Sequence, residues 1–124
     1  MEIRDKILIA KDFTKYPGGR YKSEGDHSGE EFLLNYLLGK LLAAILKGYG
    51  LEIDLTGMNG YPSSFISGSF GKLSYELGKV LGQDDASQLL LKHIVLKCED
   101  SVSRKEAVLE EISHPVTKAD KKIK

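Results

Sequence analysis

The chain has one cysteine, Cys98, and three prolines, and its eighteen basic residues are balanced by eighteen acidic ones. A single thiol rules out an intrachain disulfide, so the fold must rest on its hydrophobic core. Zero net charge removes the global electrostatic argument for nucleic acid or an anionic membrane. Long hydrophobic runs are missing too. The most apolar window, Phe32 to Leu46, is broken by Asn35 and Lys40 and falls short of a membrane span. The N-terminus mixes both charge signs ahead of a short apolar run and has no signal-peptide core, so a cytoplasmic location is expected.

Enzyme signatures are equally sparse. His27, His93 and His114 are far apart and lack the spacing of a metal site, so no metal is expected. The acidic pairs Glu30/Glu31, Asp84/Asp85 and Glu110/Glu111 are adjacent, which on a helix turns them about 100° apart and suits caps better than acid–base work. Cys98 has no flagged base and reads as a small packed residue. No nucleophile–base pair can be assembled, and a non-catalytic protein is expected.

What is present fits one α/β domain. A chain of 124 residues, 41% of them hydrophobic, is long enough to bury a core without staples. Lys6 to Phe13 reads as a first strand, with Arg20, Tyr21 and Lys22 as a short strand or hairpin arm between turn signals. Ser28 and Glu31 have the spacing of a capping box, and the helix they start runs to Lys47 and stops at Gly48. Phe32, Tyr36, Leu37, Leu41, Ala44 and Ile45 form its apolar face. Leu33, Leu34, Leu38, Leu42 and Leu46 widen that face, enough for a homodimer to use it.

Leu51 to Leu55 reads as a second strand and Thr56 to Pro62 as a tight connection. A helix follows, capped by Ser63 or Ser64, with Ile66, Phe70, Leu73, Leu77 and Val80 or Leu81 as its stripe. Ser67, Gly68 and Gly71 lie near its start, where glycine costs about 1 kcal/mol relative to alanine. Such small residues imply that another element or a ligand comes close to the backbone. A short helix capped by Asp84 or Asp85, a strand from His93 to Cys98 and a helix from Asp100 or Ser101 to Ile112 complete the pattern. The expected architecture is a mixed sheet of about four strands with helices packed on it, spanning residues 1–112. Residues 113–124 read as a flexible, lysine-rich solubilising tail without the interleaved aromatics of a nucleic-acid binder.

Two stretches carry candidate function. Ser63 and Ser64 stand where a helix N-terminus offers free N–H groups and positive dipole, a position suited to an anion or to phosphorylation. The plainer reading is that one of them simply caps the helix. In the loop before the first long helix, Arg20, Lys22, Ser28 and Gly29 are candidates for an anion or nucleotide, the plainer reading being a solvated connection. Asp54, at the end of a strand expected to be central, is the one carboxylate to watch for catalytic chemistry, the plainer reading being a bond to the turn at Gly57 or Asn59.

The order of four motifs adds a resemblance. Tyr16-Pro17-Gly18-Gly19-Arg20, Ser28-Gly29-Glu30-Glu31-Phe32, Gly60-Tyr61-Pro62-Ser63-Ser64-Phe65 and Phe70-Gly71 together resemble bacterial STAS-like domains of unknown function, related to the sulphate transporter and anti-sigma factor antagonist family. The likeness spans Lys6 to Ile112. It implies a regulatory module that binds a protein partner of the kinase-like ATPase or anti-sigma type. Carried over by position, the phosphorylated serine of the antagonists falls on Ser63, with Ser64 beside it. Pro62 stands where that family has aspartate and Phe65 where it has glycine. The expected partner surface comprises Gly57, Asn59, Tyr61 and Phe65. No cofactor is required. A nucleotide or small anionic ligand at Arg20–Ser28 and the Ser63 helix start is the rival reading.

Overall fold

The computed structural model describes residues 1–60, 62–82 and 86–113. Three strands, β1 (Ile3–Leu8), β2 (Gly50–Asp54) and β3 (Ile94–Lys97), pair in chain order and all in parallel. Between β1 and β2 come a helical turn α1 (Ile9–Asp12), a 3-10 turn (Lys22–Glu24), α2 (Gly29–Phe32), a π-helical turn (Leu33–Leu37) and α3 (Leu38–Lys47). Helices α4 (Ser63–Leu81) and α5 (Ser87–His93) join β2 to β3, and α6 (Val102–Ser113) follows β3. Parallel crossovers that step in one direction place their helices on one face of the sheet.

The sheet is therefore not mixed, and among the described residues it has three strands rather than about four. The missing arm is Arg20 to Lys22. There the Glu24 carboxylate accepts the N–H groups of Arg20 (2.8 Å) and Tyr21 (3.0 Å) and closes a 3-10 turn instead of a hairpin. β1 also ends earlier than its apolar run suggests. Asp12 accepts the Leu8 N–H at 2.8 Å, and Phe13 N–H returns to the Ile9 carbonyl at 2.9 Å, so the chain turns helical at Ile9.

Ile7, Leu51 and Ile53 are buried under the helices. The other face carries Lys6 opposite Glu52 and Asp54 opposite Lys97, none of them buried. Parallel sheets are usually covered on both faces. Among the described residues no helix packs on this face, which carries opposite charges on neighbouring strands together with Leu8 and Val95. Glu99, by hydrogen bond and charge, then Asp54 and Glu52 raise the Lys97 pKa above the ordinary lysine value.

The unusual width of the first long helix's apolar face has a structural cause. Phe32 and Leu37, five residues apart, are both fully buried because the π turn inserts one extra residue and re-phases the helix. Leu41 and Ala44 then follow at ordinary spacing. Leu33 is buried and Leu38 and Leu42 half-buried, while Leu34 and Leu46 remain exposed. Gly48, at φ 78°, ends the helix in the left-handed conformation that glycine adopts freely.

Phe13, Phe32, Phe65 and Tyr36 form an aromatic cluster where α1, α2 and α4 meet, with ring centroids 5.1 to 6.3 Å apart. No helix among the described residues is long and apolar enough to cross a membrane. Tyr61, Asp84, Asp85 and everything from His114 onward lie outside the described residues, so the expected tail is represented there only by Ser113, the last residue of α6.

Candidate functional site

The N-terminus of α4 sits beyond the carboxyl end of β2, where open α/β sheets place their ligand crevices. Its cap is Pro62. The Pro62 carbonyl accepts from Phe65 N–H (3.0 Å) and Ile66 N–H (3.2 Å), and no side chain caps the helix. This corrects the plainer sequence reading. Neither Ser63 nor Ser64 is a cap; they are the first two residues inside the helix, Ser63 exposed and Ser64 half-buried. Proline cannot donate a backbone hydrogen bond and has no hydroxyl to offer, so the cap position goes unused.

The loop leading to that helix start is held from two sides. Asp54 accepts the Thr56 N–H at 2.9 Å, which settles Asp54 as a turn-forming carboxylate. From the β3–α6 connection, Asp100 accepts the Gly57 N–H at 3.0 Å and the Thr56 hydroxyl accepts from Glu99 N–H at 2.9 Å. Arg104 donates to the carbonyls of Leu55 (3.0 Å) and Met58 (3.2 Å) and pairs with Asp100 at 2.6 Å. From the other side, Asn59 N–H donates to the Lys15 carbonyl at 2.7 Å. The Gly57 N–H, the Cys98 thiol and the Arg104 guanidinium hold the Asp100 pKa below its ordinary carboxylate value, against a smaller desolvation effect. From sequence Asp100 reads only as one candidate start of the last helix, and Arg104 carries no reading. Their one legible signal is an acid and a base four apart across the start of a helix, a spacing that usually marks a surface pair.

A second loop lies along α4. Arg20 donates from Nε (3.1 Å) and Nη2 (2.8 Å) to the Ser67 hydroxyl, and Lys72 stands over the Tyr21 ring at 4.1 Å. The small residues of α4 are what admit it. A Cβ on Gly68 would stand 2.8 Å from the Arg20 carbonyl oxygen, and one on Gly29 would stand 2.5 Å from the Phe65 carbonyl oxygen. Close approach by another element, rather than by a ligand, accounts for both glycines. The structure thus sets Arg20 against Ser67 and Gly68 of α4, one turn beyond the Ser63 helix start.

Several expected site residues are placed elsewhere. Phe65 is fully buried in the aromatic cluster, because the third position of α4 faces inward, so it is not part of a partner surface. Ser28 and Gly29 are buried, and their helix start has no free donors for an anion. Gly29 N–H donates to the Gly19 carbonyl (2.8 Å), Glu30 N–H to the Arg20 carbonyl (2.9 Å) and Glu31 N–H to the Ser28 hydroxyl (3.0 Å). The Glu31 carboxylate accepts from His27 N–H (3.0 Å), one residue beyond the capping-box position. Lys22 is exposed, as are Gly57, Asn59 and Ser63, whereas Arg20 is half-buried against Ser67. His93 is buried with its Nδ1 2.9 Å from the Tyr49 carbonyl. Among the described residues no three His, Cys, Asp or Glu side chains group as metal ligands.

These features define a small parallel α/β domain with an exposed, hydroxyl-bearing helix start at the carboxyl edge of its sheet. The model of a family described as STAS-like domain of unknown function (DUF4325) matches residues 35–98, just over half of the 124-residue chain. The chain belongs to this family of STAS-like domains. The match runs from within the π turn to the end of β3, so it contains the Ser63 helix start and excludes the Tyr16–Ser28 loop. No curated protein and no solved structure matches the chain.

Proposed function

We propose that this STAS-like domain is a non-catalytic regulatory module that binds another protein at the segment Gly57 to Ser64. The observation that carries the reading is the position of Ser63. It is exposed at the first residue of a 19-residue helix with no side-chain cap, while the loop before it is tied down by Asp100, Arg104 and the Lys15 carbonyl. A held, accessible segment offers a partner a surface that loses little entropy on binding. Resemblance to the antagonist domains supports a partner of the kinase-like ATPase or anti-sigma type.

Phosphorylation of Ser63 gates that docking. A phosphate adds about −1.5 to −2 charges at the positive end of the helix dipole. Arg20, held on the Ser67 hydroxyl one turn further along α4, is the cation positioned to answer it. Ser63→Asp and Ser63→Ala, compared with wild type for partner affinity, test the gate. Loss of binding in Ser63→Asp with retention in Ser63→Ala is the expected result, and equal binding by all three overturns it.

A nucleotide or small-anion sensor using the Arg20–Ser28 loop and the Ser63 helix start is the less favoured reading, since the Gly29, Glu30 and Glu31 amides at the loop's end already donate to Gly19, Arg20 and Ser28. A thermal-shift series with nucleotides at about 100 times a dissociation constant reads this directly, because real binding adds about 2.7 kcal/mol. No shift is expected.

A further inference from the structure

Arg20 differs from the other two arginines in what holds it. Arg4 pairs with Glu2 at 3.0 Å and Arg104 with Asp100 at 2.6 Å. Arg20 is half-buried, and among the described residues its guanidinium has only a neutral oxygen, the Ser67 hydroxyl, which it reaches through Nε (3.1 Å) and Nη2 (2.8 Å). That hydroxyl in turn donates to the Ser64 carbonyl at 3.3 Å. The nearby carboxylates are turned to the backbone. Glu24 accepts the N–H groups of Arg20 and Tyr21, and Glu30 accepts that of Lys22. A cation drawn partly out of water gains most from an anionic partner, and Arg20 has none.

One turn earlier on α4 stands a residue able to supply that charge. Ser63 is exposed and lies four residues before Ser67, a spacing that sets their Cβ atoms about 5–6 Å apart. A phosphate on Ser63 Oγ spans most of that gap. We propose that Arg20 is the internal receptor of this phosphate, and that the Ser67 hydroxyl holds its guanidinium in place until the modification arrives. The inference rests on the Ser63 reading and deepens it. Transfer of the γ-phosphoryl group of a nucleoside triphosphate to Ser63 Oγ releases the hydroxyl proton and the diphosphate. The phosphate oxygens then take Nη1 and Nη2 of Arg20 as a two-point pair.

The Tyr16–Ser28 loop thereby becomes the arm that reads the modification. Its Arg20 carbonyl accepts from Glu30 N–H at 2.9 Å, and the adjoining Tyr21 ring lies under Lys72 at 4.1 Å. A shift of Arg20 toward Ser63 therefore reaches both α2 and the middle of α4.

The chain carrying phosphoserine at Ser63, introduced during translation, tests this by phosphorus NMR and by the Arg20 Nε–H resonance. The second ionisation of the phosphate is expected at a pH about one unit lower than in the same chain with Arg20→Gln. The Arg20 resonance is expected to move on phosphorylation. Ser67→Ala keeps the cation and should keep the low midpoint, and Arg20→Lys should recover only part of it, so both inform even where Arg20→Gln fails to fold. Equal midpoints with and without the guanidinium overturn the proposal, as does an Arg20 resonance blind to the phosphate. Partner affinity separates the two readings. A phosphate that abolishes partner binding without touching Arg20 overturns the receptor role alone. One captured by Arg20 with partner binding unchanged supports the receptor role and overturns the gate.

Discussion

Gly68→Ala tests the junction between the Tyr16–Ser28 loop and α4. In an open helix interior the change stabilises by about 1 kcal/mol, because alanine is the better helix former. At Gly68 the added carbon would stand 2.8 Å from the Arg20 carbonyl oxygen, 2.9 Å from its Cγ and 3.0 Å from its Cα. Arg20 backbone is itself fixed by Glu24 and Glu30, so the loop must move as a unit. Overpacking costs about 1–3 kcal/mol, and losing the Arg20–Ser67 hydrogen bonds adds about 1. Set against the gain of about 1 kcal/mol from alanine, the net is a loss of about 1–3 kcal/mol. Gly39 supplies the control: it lies in α3 with nothing within 4 Å of an added carbon, so Gly39→Ala is expected to stabilise by about 1 kcal/mol. With about 4 °C per kcal/mol for a domain of this size, thermal melts should move in opposite directions. If both variants raise Tm equally, the loop does not pack on α4 as described.

Other expectations follow from the same contacts. Arg104→Met should destabilise by about 1–3 kcal/mol in urea titration, because the Leu55 and Met58 carbonyls lose their charged donor, and it should weaken partner binding. Asp100 has a depressed pKa in the folded state, so its contribution is present above the unfolded-state value and is lost as pH falls through the folded one. The protection of the Gly57 amide, relative to its intrinsic exchange rate, should accordingly fall below that pH, and Asp100→Asn should remove this acid-side dependence. Phe32→Ala, at the centre of the aromatic cluster, should cost about 3–5 kcal/mol by calorimetry or denaturant melts.

The helices were legible in the sequence where punctuation and periodicity agreed. Ser28 caps its helix and Gly48 stops it, and Ser101 accepts the Arg104 N–H at 3.1 Å to start α6. Strands β2 and β3 were found within a residue or two because Leu51 to Leu55 and His93 to Cys98 are short β-branched or leucine-rich runs between turns. β1 lies earlier than Lys6 to Phe13 and shares only Lys6 to Leu8 with it. What could not be read is whatever depends on residues distant in sequence. The all-parallel order follows from which strands meet, and local pattern is silent on that. The π turn showed only as a surplus of leucines. Ser63 and Ser64 looked like caps because serine prefers that position, yet the Pro62 carbonyl takes the turn. Phe65 looked accessible beside two serines, but helical phase carries it into the core. Asp100 and Arg104, which hold the candidate site, act across more than 40 residues of sequence.

The central claim is that a partner docks on the Gly57–Ser64 segment at the start of α4. Hydrogen exchange of the chain, alone and in complex with a protein captured from its source cell, measures this directly. Slowed exchange is expected to concentrate at Gly57 to Ser64 and at Arg20, and that footprint to be lost in Ser63→Asp. Protection that appears instead on the charged sheet face or along α6, with Gly57 to Ser64 unchanged, would contradict it.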